Sequence, residues 1–449
     1  MRLIITDAYT SVEEIPLSAR KKLTELLSAR PDGYQFSPKF KRGQWDGWVS
    51  LFRQGKFPTG LLPDVLNVLA NEDELELELL DKRAPLIHSE PVEHLQNGYT
   101  LRPYQYETVE AILKAGHGTI KLATNAGKTL VAASLWLTLG KPTAVYVVPS
   151  VALLEQTSAE LEEYTGQTIG KLGGGSSDYR RLTVVVTNSL PKFLKSNFSP
   201  TELVIIDECH RTKSATIFDN IFKLPGRYRI GMSGTPLTYN VLSDMKLVAA
   251  TGPVIYEITN EAMTAKGYSV PPNIQFIKLT EEWDKELKYP DAYRQHIVNS
   301  VIRNLRIADL AMRYAKSTSV LIIANWIEHT EAIAEFLDDV IYLTGQNSKQ
   351  EMLDGLELFK TEGGIMLCTP IFGEGVNVPD VGVIILAGGG KSYIQLLQRI
   401  GRGMRTAEEK TEVIIIDFID DTNKFLFTHS EVRYALYKQE GFTVSMYAD

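Results

Sequence analysis

Four short segments carry residue types whose chemistry fits together. Residues 123–129 read Ala-Thr-Asn-Ala-Gly-Lys-Thr, the form of a loop that turns backbone N–H groups and a helix start toward phosphate oxygens. In that arrangement Thr124, Asn125, Ala126 and Gly127 make the cradle, Lys128 reaches the β- and γ-phosphates, and the Thr129 hydroxyl ligates Mg2+. The loop departs from the full pattern, because Leu122 stands where its first glycine is expected. Further along, the apolar run 203–206 ends in Asp207-Glu208-Cys209-His210. A buried strand ending in two carboxylates puts both at the carboxyl edge of a sheet, where α/β proteins bind ligands. Asp207 then holds Mg2+, directly or through water, and Glu208 orients and deprotonates an attacking water. A chance Gly-Lys-Thr or a solvated acidic turn explains either segment alone; their order and spacing point instead to an ATP-hydrolysing site. Ser233-Gly234-Thr235-Pro236 and Gln398-Arg399-Ile400-Gly401-Arg402-Gly403-Met404-Arg405 follow. On a helix, Arg402 and Arg405 share a face. A guanidinium there can stabilise charge on a γ-phosphate, an effect worth roughly 10³–10⁵ in rate in related chemistry.

The elements that must position these residues are legible as a pattern. From about residue 96, apolar β-branched runs alternate with helix-like stretches: 143–148, 182–186, 203–206 and 228–232, then 320–323, 365–368, 383–386 and 413–416. Continuous apolar strands separated by helices imply buried parallel sheets. The fold class expected is α/β: two parallel-sheet lobes preceded by a small α+β domain. The boundaries expected are 1–92, 93–260 and 261–449, with Gly252, Pro253, Gly267, Pro271 and Pro272 interrupting periodicity between the lobes.

The first 90 or so residues read differently. Residues 2–6 suit a strand. Residues 17–29 have helical spacing, with Leu17, Leu23, Leu26 and Leu27 on one side, and 71–80 alternate acidic and leucine residues. Pro85 and Pro91 mark a linker. Within residues 31–56, Lys39, Lys41, Arg42, Arg53 and Lys56 are interleaved with Tyr34, Phe36, Phe40, Trp45 and Trp48. Basic residues contact phosphates and aromatics stack on bases, although a small domain also needs aromatics for its own core. At the other end, 420–437 read as a helix packed on the second lobe, with Lys424, His429 and Arg433 as possible DNA contacts.

Bulk composition sets limits. The 449 residues are 44% hydrophobic and 23% charged, with a net charge of −8. That balance argues against a protein that coats nucleic acid through its overall field, but leaves room for a local basic track. No apolar run approaches the ~20 residues that span a bilayer, and the N-terminus is too soon acidic for a secretory signal. The two cysteines, Cys209 and Cys368, lie in no ligand-spaced cluster, so neither a disulfide framework nor a zinc site is expected. A reducing cytoplasm is the expected home, a bacterial host's if the chain comes from a phage.

Taken together, the motifs resemble those of superfamily 2 helicases of the DExH type, over about residues 99–420. The resemblance implies two RecA-like lobes. It implies that Gln105, in Arg102-Pro103-Tyr104-Gln105, reads adenine, and that Pro149, Ser150 and Thr187 contact a nucleic-acid strand. His210, Ser233 and Thr235 would couple hydrolysis to lobe movement. The segment from Thr369 to Asn377 would touch strand and nucleotide, through Thr369 and Gly375, and 395–405 would supply Gln398 and the arginine fingers Arg402 and Arg405. Tyr34-Gln35-Phe36-Ser37-Pro38-Lys39-Phe40 and Gly43-Gln44-Trp45-Asp46-Gly47-Trp48 resemble the N-terminal domain of phage UvsW-type recombination helicases. That family implies an ATP- and Mg2+-dependent DNA helicase or translocase that unwinds branched DNA, drives branch migration and regresses forks in recombination, repair and replication. Its partners would be branched or forked DNA, with Lys39, Lys41, Arg42, Trp45 and Trp48 in contact, and recombination or replication proteins; no membrane is implied. An RNA helicase shares every ATP motif. A nucleic-acid-stimulated clamp that does not unwind, or the motor of a restriction complex, also remains open.

Overall fold

The run Leu182–Val186 has no polar face, and all five residues are buried; Ala144–Val148 behaves in the same way. Strands of this kind must be covered on both sides. The computed structural model describes residues 1–70, 76–122, 126–198, 200–210, 215–234, 236, 240–268, 272–279, 286–369, 381–390, 413–439 and 442–448. Met1–Leu122 with Gly127–Ile258 make one compact unit, and Thr259–Asp449 belong to another.

The large sheet of the first unit has eight strands among the described residues. Their order is Ser176–Asp178, Gly170–Gly173, Leu182–Val186, Ala144–Val148, Leu203–Asp207, Tyr228–Ser233, His117–Leu122 and Val254–Ile258. All neighbours are parallel except the two-strand hairpin at one edge. Parallel order gathers the carboxyl ends Val148, Val186, Asp207, Ser233 and Leu122 on one edge. The register places Asp207 beside Met232 and Ser233 beside Lys121.

Among its described residues the N-terminal segment forms a four-stranded sheet in the order Lys56–Pro58, Tyr9–Glu13, Arg2–Ile5, Glu78–Asp81. Its core is not closed on itself. Leu3, Ile5, Val12, Leu23, Phe57, Leu61 and Val65 belong to one apolar cluster with Val145, Val147, Phe218, Leu247 and Ala249 of the larger sheet's layer. A Cβ on Gly60 would lie 2.1 Å from the Val248 carbonyl oxygen and 2.7 Å from that of Ala249, so backbone meets backbone there. Tyr9 packs on Phe222 with ring centroids 5.3 Å apart, and Asn240 Nδ2 donates to Asp32 Oδ2 at 2.5 Å. The helix Leu17–Leu26 corrects one expectation: Leu17, in its first turn, is 85% exposed, and Ala19 and Leu23 supply the buried face.

Among the described residues the second unit holds a seven-stranded sheet, parallel throughout, in the order Val340–Leu343, Ile365–Cys368, Val320–Ile323, Val383–Leu386, Val413–Ile419, Pro272–Lys278, Thr443–Ala448. Apolar clusters cover both faces. The tail helix is Lys424–Gln439, and it overturns the reading of Arg433 as a DNA contact. Arg433 is buried, donating through Nε to Asp417 Oδ2 at 2.9 Å and through Nη2 to Asp420 Oδ2 at 3.1 Å. Arg303 Nη1 donates to the same Asp420 at 2.5 Å, and the Tyr437 hydroxyl to Asp417 at 2.7 Å. No helix among the described residues is long and apolar enough to cross a membrane.

Candidate active site

The phosphate loop ends at Gly127, whose φ of +75° lies in the left-handed region, and the helix Lys128–Thr138 starts directly after it. A Cβ at Gly127 would also come within 2.3 Å of Gln105 Nε2, so the position requires glycine for both conformation and space. Gln105 is itself fixed by a helix start. In the first turn of Pro103–Ala115 its Oε1 accepts a hydrogen bond from the Arg102 backbone N–H at 2.8 Å. That bond leaves the amide nitrogen over the loop.

Opposite, the strand Leu203–Asp207 delivers Asp207 to the carboxyl edge. The chain then turns sharply: Glu208 has φ of +45°, a strained conformation that costs of order 1–3 kcal/mol and clusters at functional sites. Lys128 Nζ donates to Glu208 Oε1 at 2.9 Å and lies 3.7 Å from Asp207 Oδ1. His210 Nδ1 is 3.4 Å from Glu208 Oε2 and 3.0 Å from the Ser233 hydroxyl. One connected chain thus runs Lys128, Glu208, His210, Ser233, joining the phosphate lysine to the end of the neighbouring strand.

The electrostatics follow from burial. Loss of water pushes the Asp207 carboxyl up to about 6, against the pull of the Lys128 ammonium and with a further push from Glu208. Burial alone would depress Lys128; the Glu208 and Asp207 carboxylates outweigh it and hold the ammonium above its ordinary range. Burial also pushes the Cys209 thiol up, leaving it neutral and inert. The residues fit Mg2+. Asp207 and Thr129 offer hard oxygen donors of the kind Mg2+ takes, an ion that keeps several waters and takes other oxygens from substrate phosphates.

Three family profiles match in chain order: "DNA helicase UvsW, N-terminal" over residues 9–78, "Type III restriction enzyme, res subunit" over 98–238 and "Helicase conserved C-terminal domain" over 300–407. Together the three matches make the chain similar to superfamily 2 helicases of the UvsW type. The ATP-dependent DNA helicase uvsW of Enterobacteria phage T4 is 26% identical over 435 residues, covering 89% of this chain and 86% of that protein. The DNA 3'-5' translocase XPB2 of Sulfurisphaera tokodaii is 26% identical over 397 residues, covering 78% of this chain and 87% of that one. In fold, the chain is similar to the ATP-dependent Type ISP restriction-modification enzyme LlaBIII bound to DNA, with a TM-score of 0.59 at 16% identity over 85% of this chain and 34% of that one.

The remaining helicase residues fall as follows. Pro149, Ser150 and Thr187 lie just past the ends of strands Ala144–Val148 and Leu182–Val186, on the same edge as Asp207. The Ser150 hydroxyl accepts from the Leu153 N–H at 3.3 Å, capping the next helix. Thr369 is buried in the second unit at the end of strand Ile365–Cys368. Lys39, Lys41, Arg42 and Trp48 are exposed and Trp45 is half-buried, its Nε1 donating to the Trp48 carbonyl at 2.7 Å. Thr124, Asn125, Thr235, Gly375, Gln398, Arg402 and Arg405 lie outside the described residues. Sequence reasoning passed over Tyr146, a phenol fully buried in strand Ala144–Val148 and pushed well above its ordinary value, by burial first and then by Asp207. It sat inside an apolar run, where nothing but its hydroxyl could have signalled it.

Proposed function

We propose that this ATP-dependent helicase acts on DNA, and that it unwinds or remodels branched DNA, by branch migration or fork regression, using ATP and Mg2+. The observation that carries the reading is the connected chain from Lys128 through Glu208 and His210 to Ser233. Lys128 is held by the carboxylates and is released to the β- and γ-phosphates when nucleotide enters. Glu208 then loses its ammonium partner and accepts a proton from the attacking water, while His210 reports the change to Ser233 and the segment beyond it. Asp207 and Thr129 would hold Mg2+, which would supply neutralisation of phosphate charge. Arg402 and Arg405 supply charge stabilisation from the second lobe, with Gln398 and Thr235 coupling the two. Gln105 reads adenine. Pro149, Ser150, Thr187 and Thr369 contact the tracked strand, moved in the 3'-to-5' direction that the archaeal relative's name carries.

Branched DNA is supported by the UvsW-type N-terminal match and by the surface it covers. Phe36 is 71% exposed with Lys41 Nζ 5.9 Å from its ring, and the Arg30 guanidinium lies over both Tyr34 and Trp48. Such a surface offers phosphate contacts and stacking faces together.

The test is ATP hydrolysis by the purified chain with no nucleic acid, single-stranded DNA, duplex DNA, a synthetic four-way junction and RNA. Stimulation should be greatest on the junction, and Lys128→Ala and Glu208→Gln should each abolish turnover. Stimulation by RNA alone would move the chain to the RNA helicases. Full turnover in either variant would remove the site assignment.

A further inference from the structure

The second unit ends its strands on one edge as the first does, and that edge carries a feature that no motif above accounts for. Strand Val320–Ile323 runs through Ala324 and Asn325 to Trp326, which precedes the helix Ile327–Ala334. Trp326 remains 38% exposed although it packs on Tyr293, with ring centroids 4.8 Å apart. The Arg294 guanidinium lies 5.7 Å from the indole, and the Arg294 side chain is 59% exposed. Arg294 Nη2 donates to Glu328 Oε2 at 3.2 Å, which fixes the guanidinium beside the ring.

The surroundings are built rather than incidental. Asn325 Nδ2 donates to the Tyr293 hydroxyl at 3.2 Å and to the Gly389 carbonyl at 3.1 Å, tying the turn to the end of the neighbouring strand Val383–Leu386. Arg294 opens a π-helical turn, Arg294–Val298, a winding found disproportionately at functional sites. The strand on the other side, Ile365–Cys368, leads into Thr369. Trp326 therefore stands one strand away from a residue already proposed to touch the tracked strand.

We infer that Trp326 and Arg294 form a stacking site for one base of single-stranded DNA, with the indole taking the base and the guanidinium an adjacent phosphate. A large aromatic left partly in water at the ligand edge of an α/β sheet offers π-surface on which every base can stack, so the contact serves a motor that must read all sequences. Arg294 adds a charge that a single-strand phosphate can share with Glu328. The inference rests on the DNA-helicase reading and deepens it.

Binding of an end-labelled oligothymidine to the full chain, followed by fluorescence anisotropy across a salt series, tests it. Trp326→Phe keeps a stacking face, whereas Trp326→Leu keeps apolar bulk without one, so both preserve the packing on Tyr293. The expected result is near wild-type affinity for the Phe variant and about a tenfold loss for the Leu variant, at matched melting temperatures. Arg294→Gln should weaken binding and flatten the slope of log K against log salt by about 0.7, the increment for one single-strand phosphate. Equal affinity of the Phe and Leu variants overturns the stacking site, and an unchanged salt slope in Arg294→Gln removes the arginine from it. If the wild-type chain does not bind oligothymidine at all, the DNA reading falls together with the inference; if it binds and the variants do not differ, the inference alone falls.

Discussion

Asp207 is held in a place that works against its charge. Its value of about 6 lies above that of an exposed aspartate, chiefly through burial. A carboxyl whose folded-state value is raised stabilises the fold most fully below the ordinary aspartate range, and that contribution is lost as pH rises through the folded value. At neutral pH the ionised side chain is thus a cost to stability, as expected of the carboxylate proposed to hold Mg2+. Asp207→Asn should therefore melt higher than the wild type near neutral pH while turning over no ATP. The stability gap should begin to shrink as pH falls below about 6 and close only below the ordinary aspartate range, where the wild-type carboxyl is neutral in the folded and the unfolded chain alike. Thermal scans of both proteins between mildly alkaline and acid pH check this; a gap that ignores pH would mean burial is not what perturbs the residue. Glu208 is strained at the same turn, with φ of +45°. Two adjacent residues held against their preferences make the strand end a place where function outweighs stability.

At the scale of elements, strands whose two faces are both covered could be read directly. Leu182–Val186, Val320–Ile323, Ile365–Cys368 and Val383–Leu386 stand where their apolar runs stop. His117–Leu122 was legible only at its end, since Gly118 and Lys121 break the apolar signal. Gly170–Gly173 carries too little apolar character to register, and in the edge strand Thr443–Ala448 the polar Thr443 and Ser445 break up the apolar residues. The positions of Asp207 and Ser233 were legible because strand ends are a fixed address in a parallel sheet, while nothing in the sequence singled out Trp326, because a single aromatic carries no spacing. Buried charge was the hardest to see. Arg433 reads as a solvated base in sequence and is instead shared between Asp417 and Asp420. Removing one partner of such a buried set leaves uncompensated charge, so Arg433→Ala should destabilise the second unit by about 3–5 kcal/mol. Lys424, with its ammonium over the exposed Phe425 ring, should tolerate the same change nearly without effect. Urea titration of both variants makes the comparison. Gly60 poses the opposite case. A methyl there meets two backbone carbonyls that cannot rotate away, and Gly60→Ala should destabilise the first unit by at least about 1–3 kcal/mol, read from its melting temperature.

For the whole molecule, the question is what moves with what. Composition marks a linker around Pro85 and Pro91, and a linker invites the picture of a DNA-binding domain on a tether. The contacts along it say otherwise. Arg227 Nε donates to the Ala84 carbonyl at 2.5 Å, the Ile87 N–H to the Tyr228 hydroxyl at 2.7 Å, and the Val92 N–H to Thr138 Oγ1 at 2.9 Å. Ser134 Oγ donates back to the Val92 carbonyl at 2.7 Å. With the backbone bound at three places and the apolar core running beneath it, the N-terminal sheet shares its stability with the ATP-binding sheet. A small sheet whose core is shared with a larger one has too little buried surface of its own to fold by itself. Residues 1–92 expressed alone should therefore give the circular dichroism of an unfolded chain, whereas 1–258 should fold cooperatively. Limited proteolysis of the full protein should leave the segment around Pro85 and Pro91 uncut under conditions that cleave exposed loops. Early cleavage there, releasing a folded N-terminal fragment, would restore the tether. If the segment resists, the basic and aromatic surface of residues 30–56 is carried rigidly by the lobe that binds ATP, and any DNA it holds is held in the frame of Lys128 and Asp207.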